Sequence, residues 1–290
     1  MKLSKFFHKP QYIEKVSELD FKEGKNYFGD LALQWLNEYK DYYTLIKNNL
    51  KFFNLPDNKQ AVEKAVRNIG YHYYEKFLAF QKEPEFYPDF FERIIKPDDL
   101  LVELENNQEE YQPAVILCTH FGGMPLIVGV LNYCHLDLSI VIKFPSEEFR
   151  KMQEDKIKHI QRTLDYGRIR FFEADKQPMN KIGSRLKAGE TFFTVLDEHT
   201  PMSKNVTFLG KTISGGAGVD QIINFVGRDK IKLYFSIMER LEDNYKLNLH
   251  KIDLNSSNYI QDMFNIYEKY VAAGFEQWFF LQEVQENLVQ

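Results

Sequence analysis

The residues best suited to chemistry lie in a few short clusters. Cys118-Thr-His-Phe-Gly-Gly-Met-Pro125 places a histidine just before two glycines. An imidazole in that setting can serve as a general base near neutral pH, and Gly122 and Gly123 let backbone or substrate approach closely. On an extended strand the Cys118 and His120 side chains point to the same side. A Cys/His nucleophilic pair is therefore one reading, and an apolar filler role for Cys118 is the other. Val195-Leu-Asp-Glu-His199 brings Asp197 and Glu198 together with a second histidine. Gly210-Lys-Thr212 resembles part of a phosphate loop, but Asn205 stands where the earlier glycine is needed, and Gly215-Gly-Ala-Gly218 lacks dinucleotide spacing. Nucleotide binding is not expected. The 214–218 run instead predicts a helix over 219–226, whose free N–H groups, starting near Gly216, suit an anion or oxyanion.

These residues need a scaffold that brings them to one place. From Pro113 onward, short apolar runs at 114–119, 138–143, 168–173 and 191–197 read as buried strands, with amphipathic segments such as 146–164 between them. That alternation predicts an α/β fold: a twisted, mostly parallel sheet flanked by helices. Ligands gather at the carboxyl ends of parallel strands. His120 closes the first strand, Lys143 the second, Glu173 and Asp175 the third, and Asp197, Glu198 and His199 the fourth. Segments 231–241 and 245–252, separated by Glu242-Asp-Asn244, read as an antiparallel hairpin on the same sheet. Upstream, apolar positions from Leu31 to Ile46 recur at helical spacing, Asn54-Leu-Pro-Asp57 interrupts them, and a second stretch runs from 60 to 80. This predicts an N-terminal helical hairpin. Residues 1–110 are then a helical cap and 111–290 an α/β core, together one continuous domain, with a final helical segment over 257–288.

Composition narrows the classes. The chain has 290 residues, 37 Lys and Arg against 42 Asp and Glu, and a formal charge of −5. A mildly acidic chain without a dense basic face argues against nucleic acid as a partner. Two cysteines are too few for a disulfide framework, and their spacing fits no common zinc site; a cytoplasmic location and no metal are the expectations. The 17 Tyr and 25 Phe suit an aromatic core or a deep pocket. Only the 114–134 stretch approaches membrane-span length, and its His, Gly and Pro residues favour a strand, turn and helix. No transmembrane segment is expected.

The order of motifs carries a resemblance. Thr119-His-Phe-Gly-Gly123, Val195-Leu-Asp-Glu198, Val206-Thr-Phe-Leu-Gly210 with Thr212 and Gly216 to Gly218, and Phe275-Glu-Gln-Trp278 together resemble the lysophospholipid acyltransferase superfamily. The nearest branch is that of the late acyltransferases of lipid A biosynthesis. Asn49-Leu-Lys-Phe-Phe-Asn-Leu-Pro56 and Ile69-Gly-Tyr-His-Tyr-Tyr-Glu75 are similar to that branch's helical lead-in. The similarity spans roughly positions 45 to 285 in collinear order and implies acyl transfer from a carrier thioester to a hydroxyl or amine, with no metal or organic cofactor.

In that family a histidine takes the acceptor's proton, and an acid five positions later orients it. His120 matches the base, but Pro125 occupies the acid's position. Three readings stay open: Asp197 or Glu198 replaces the acid, His120 acts unassisted on an amine, or the chain is a non-catalytic protein that binds an acyl chain or a carrier. Oxyanion donors are expected near Gly122, Gly123 or Gly216, and Cys118 lines the same region, with an acyl-Cys118 intermediate as a rival route. Lys143 stands where the branch usually has an arginine and is either a looser phosphate contact or a solvated lysine. Glu276-Gln277-Trp278 is expected to begin the C-terminal helix and to support the pocket structurally. The expected partners are an acyl or peptidyl carrier protein, or a CoA thioester donor, and a small-molecule or lipid acceptor. Lys143, Arg150, Lys151 and Lys204 would form the basic face for a carrier. The first thirty residues lack the branch's hydrophobic anchor; peripheral docking to the inner membrane through the aromatic N-terminal hairpin is the remaining membrane contact.

Overall fold

The computed structural model describes residues 3–81, 85–96, 100–142, 146–173, 179–198 and 202–282. Two short helices, α1 (Leu3–Phe7) and α2 (Pro10–Ser17), lead into α3 (Phe21–Glu38). Asp20 starts α3 with a reciprocal cap: its carboxylate accepts from the Glu23 N–H at 2.8 Å, while the Glu23 carboxylate accepts from the Asp20 N–H at 3.3 Å. The helical pattern from Leu31 to Ile46 is not one helix. Tyr39 leaves the helical region (φ −119°, ψ 70°), and α4 (Lys40–Phe52) begins anew. The bend gathers Tyr39 and Tyr42 around the buried Trp35 indole, with ring centroids 5.3 and 4.4 Å away. The next helix, α5 (Lys59–Gln81), lies along α3 and completes the hairpin.

Helix α6 (Phe86–Ile94), strand β1 (Ile95–Lys96) and helix α7 (Leu100–Glu109) connect to the sheet proper. Its elements are β2 (Ala114–Gly122), α8 (Ile127–Tyr133), β3 (Leu138–Ile142), α9 (Glu147–Thr163), β4 (Ile169–Glu173), α10 (Met179–Leu186) and β5 (Thr191–Val195). A separate hairpin, β6 (Lys204–Phe208) and β7 (Lys211–Gly215), precedes α11 (Val219–Val226), β8 (Lys232–Arg240), β9 (Tyr245–Ile252) and α12 (Tyr259–Ala273). The sheet order is β1-β9-β8-β2-β5-β3-β4. Strands β2, β3, β4, β5 and β8 run parallel; β9 is antiparallel to β8, and β1 is parallel to β9. The fold is thus α/β, with a mostly parallel sheet flanked by helices.

The central strand β2 is buried along nearly its whole length, as its run of Ala, Val, Ile, Leu and Cys requires. Buried residues of the N-terminal helices and of the sheet form one hydrophobic cluster. The N-terminal aromatics turn into that cluster: Phe7 stacks between Phe28 and Tyr73, at 5.2 and 4.7 Å. No helix among the described residues is long and apolar enough to cross a membrane.

One segment that the periodicity leaves open takes a definite place, and one local expectation changes. Gly210-Lys-Thr212 belongs to the β6–β7 hairpin, whose two turn residues, Leu209 and Gly210, both have positive φ. At the C-terminus, α12 ends at Ala273, and Glu276-Gln277 falls in a 3-10 turn (Phe275–Gln277) rather than opening a helix. Trp278 then pairs as an antiparallel bridge with Phe121, which diverts the backbone from a helical path. A second 3-10 turn, Phe279–Gln282, follows. The remainder of the 257–288 segment lies outside the described residues.

Candidate active site

The register of the central strands decides what meets His120. Strand β5 pairs with β2 so that Ala114 faces Thr191 and Cys118 faces Val195. Beyond β5 the ladder continues for one more bond, from the Leu196 N–H to the Cys118 carbonyl at 2.8 Å. That register sets Asp197 beside His120. The carboxylate grips the histidine twice: Oδ1 lies 2.9 Å from Nδ1, and Oδ2 accepts from the His120 backbone N–H at 2.8 Å. An ionised carboxylate only accepts, so this grip holds the ring proton on Nδ1 and leaves the Nε2 lone pair to act. Glu198 approaches the other side, with Oε1 3.7 Å from Nε2, on a half-exposed side chain. Of the acids weighed as replacements for the one missing at Pro125, Asp197 makes the orienting contact, and Glu198 stands farther off on the Nε2 side.

The backbone after His120 is anchored from below. Gly122 has φ +54°, and a Cβ there would lie 1.9 Å from the Met238 carbonyl oxygen, so only glycine fits. Its own carbonyl accepts from Arg240 Nη2. Every guanidinium nitrogen of Arg240 is engaged: its Nη2 also donates to Glu75 Oε2 at 2.8 Å, its Nε to Glu75 Oε1, and its Nη1 to Asn68 Oδ1 at 2.8 Å. Tyr245 adds a hydroxyl bond to Glu75 at 2.8 Å. Burial pulls the Arg240 pKa down, but the charge and hydrogen bonds of Glu75 outweigh it and leave the pKa above the ordinary value. Gln277 clasps the Arg240 backbone, accepting from its N–H at 2.8 Å and donating to its carbonyl at 3.1 Å. The Gln277-Trp278 pair therefore supports the site from behind.

Aromatic rings cover the imidazole. The His120 side chain is 11% exposed. Phe280 lies 4.3 Å from it, Phe279 6.1 Å and the His72 ring of α5 6.4 Å, all between ring centroids. Behind Asp197, the rings of Phe208, Phe264, Tyr267, Trp278 and Phe280 line a small cavity, with about 20 Å³ free to the centre of a water molecule. Burial and the nearby Asp197 charge push the Tyr267 phenol well above its ordinary pKa, against a smaller opposing effect of Thr119. The ring stays a protonated donor beside the carboxylate.

No protein-family model matches this chain. Nor does any curated protein sequence show significant similarity to it.

The remaining expected residues fall in different places. Cys118 is completely buried, and burial, followed by the charges of Asp197 and Glu198, pushes its thiol well up. A protonated, enclosed thiol is a poor nucleophile, which disfavours an acyl-Cys118 route. The Gly123 N–H donates to the Met238 carbonyl at 2.9 Å and the Gly216 N–H to the Leu196 carbonyl at 2.7 Å. Those two donors, expected to face an oxyanion, are consumed by the sheet because the chain packs its glycines directly against strand ends. Lys143, Asp175 and His199 lie outside the described residues. Of the expected basic face, Arg150 is engaged by Glu147, Glu154 and Glu173, and Lys204 by Asp220, while Lys151 is exposed.

Sequence reasoning missed His72, Tyr267, Phe279 and Phe280 as site residues. The only signal was for His72, a polar residue set among Tyr71, Tyr73 and Tyr74 in the Ile69-Gly-Tyr-His-Tyr-Tyr-Glu75 stretch.

Proposed function

We propose that this protein is an acyltransferase that moves an acyl or aminoacyl group from a carrier-protein or CoA thioester to a hydroxyl or amine. The observation that carries this reading is the double grip of Asp197 on His120, which occupies Nδ1 and leaves Nε2 free of Asp197. The collinear resemblance to acyltransferases supports the same chemistry. His120 Nε2 takes the proton of the acceptor X–H while its X atom bonds to the carbonyl carbon and the carbonyl electron pair moves onto oxygen. The carbonyl then re-forms, the C–S bond breaks, and the departing thiolate recovers the proton from His120. Product and free thiol leave, and the imidazole is restored. Asp197 fixes the tautomer and stabilises the imidazolium formed midway.

A second reading is a non-catalytic protein that binds an acyl chain or a carrier. It is favoured by Phe280, which covers His120 at 4.3 Å. One experiment separates them: incubate the purified chain with a panel of acyl-pantetheine and acyl-CoA thioesters plus hydroxyl and amine acceptors, and follow thiol release. An acyltransferase turns over, and His120→Ala loses a factor of about 10²–10⁴. Saturable binding with no turnover in the parent chain selects the second reading.

A further inference from the structure

His72 is buried in the middle of α5, 1% exposed, and neither ring nitrogen has a hydrogen-bond partner among the described residues. Leaving a buried polar group unpaired costs roughly 1–3 kcal/mol, and buried polar groups are paired almost everywhere else in proteins. Phenylalanine, close to histidine in size, would avoid that cost among these rings. The position of the ring gives a reason to keep it. His72 stands beside the His120 ring, 6.4 Å away between centroids, in a site where the N–H groups of Gly123 and Gly216 are already spent. The same turn covers both imidazoles: Phe279 stacks on His72 at 3.9 Å, and Phe280 lies on His120 at 4.3 Å. That turn is pinned at both ends, by the Trp278 bridge to Phe121 and by the Asn49 amide, which donates to the Leu281 carbonyl at 2.6 Å. Between the pins the two phenyl rings are what separates both imidazoles from an approaching ligand. A ligand that reaches Nε2 of His120 by turning these rings aside uncovers His72 as well.

We propose that His72 is a second substrate contact of this site, donating its ring N–H to the oxygen of the acyl carbonyl as negative charge builds there. Burial, then the charges of Lys76, His120 and Arg240, hold the His72 pKa well below the usual imidazole value. The ring thus stays neutral and keeps one donor and one acceptor nitrogen. It transfers no proton: its N–H bond is retained throughout, and His120 handles the proton of the acceptor. The role rests on the acyl-transfer reading and supplies the donor that Gly123 and Gly216 cannot.

The test compares the parent chain, His72→Phe and His72→Gln, using decanoyl-pantetheine with the best acceptor of the thioester panel. His72→Phe removes unpaired polar atoms, so its Tm is expected to equal or exceed that of the parent. Its kcat is expected to fall about 10²–10³-fold, in line with the loss of one oxyanion donor, with KM changed less than threefold. His72→Gln restores an N–H donor and is expected to recover at least tenfold of the kcat lost. Parent-like kcat in His72→Phe overturns the role, as does a Tm drop of several degrees, which would show that the ring is paired in the folded chain. If the parent chain gives no His120-dependent turnover, the acyl-transfer reading falls and takes this role with it. A live parent enzyme with an indifferent His72→Phe refutes this role alone.

Discussion

Two buried ionic clusters sit back to back at the end of β2, and they are built on opposite principles. Around Arg240 every nitrogen of the guanidinium is committed: Glu75, Asn68 and the Gly122 carbonyl accept from them, and Gln277 and Tyr245 close the network. Around His120 the polar atoms are only partly committed. Asp197 takes Nδ1 and leaves Nε2 with only Glu198 at 3.7 Å, and the His72 ring has no hydrogen-bond partner among the described residues. Saturated networks rigidify, and open valences bind or react. The difference separates residues that hold the site from residues that use it, although both sets are polar and buried.

Substitutions can sharpen that contrast, beginning with the largest effect. Asp197→Asn keeps an acceptor for the His120 backbone but loses the charge that fixes the ring. Turnover should fall on the order of 10²–10⁴, measured as thiol release, while the unfolding midpoint moves little. Arg240→Met leaves Glu75 buried and unpaired and should lose about 3–5 kcal/mol of stability in urea unfolding. A comparable stability loss in Asp197→Asn, or none in Arg240→Met, would erase the distinction between the two clusters. Gly122→Ala forces a Cβ onto the Met238 carbonyl at a left-handed position and should lose about 2–4 kcal/mol. The smallest effect is a pH slope. Because the folded chain keeps His72 neutral while the unfolded chain protonates it near pH 6.5, stability should decline as pH drops below about 6.5. One such group contributes up to about 1.4 kcal/mol per pH unit, and His72→Phe should flatten the curve by that amount.

Much of the frame is readable from periodicity alone. The runs at 114–119, 138–143 and 191–197 become β2, β3 and β5 because apolar stretches buried on both faces have little other option. The 219–226 helix and the 231–252 hairpin are legible for the same reason, with local signals at their ends. What periodicity cannot carry is register between strands far apart in sequence. Asp197 and Glu198 are neighbours in the chain, and only the pairing of Cys118 with Val195 tells which of them turns to His120. His72, Phe279 and Phe280 reach the site through packing of α5 and of a C-terminal turn. Such contacts depend on tertiary geometry, so a helix that reads as ordinary core brings an unpaired histidine to the site. The β6–β7 hairpin carries little sequence signal because its turn, Leu209-Gly210, seats a leucine at positive φ, where glycine or asparagine is the usual marker.

The bond between Asn49 and Leu281 joins residues 232 positions apart. Contacts that close so long a loop form late, after local helices and neighbouring strands have already assembled. Trp35 and Trp278 are the only tryptophans in the chain, one in α3 and one at the pinned turn. A refolding time course of Trp35→Phe, in which Trp278 alone fluoresces, should therefore lag behind that of Trp278→Phe, and the turn that covers His120 would be the last part of the molecule to arrive.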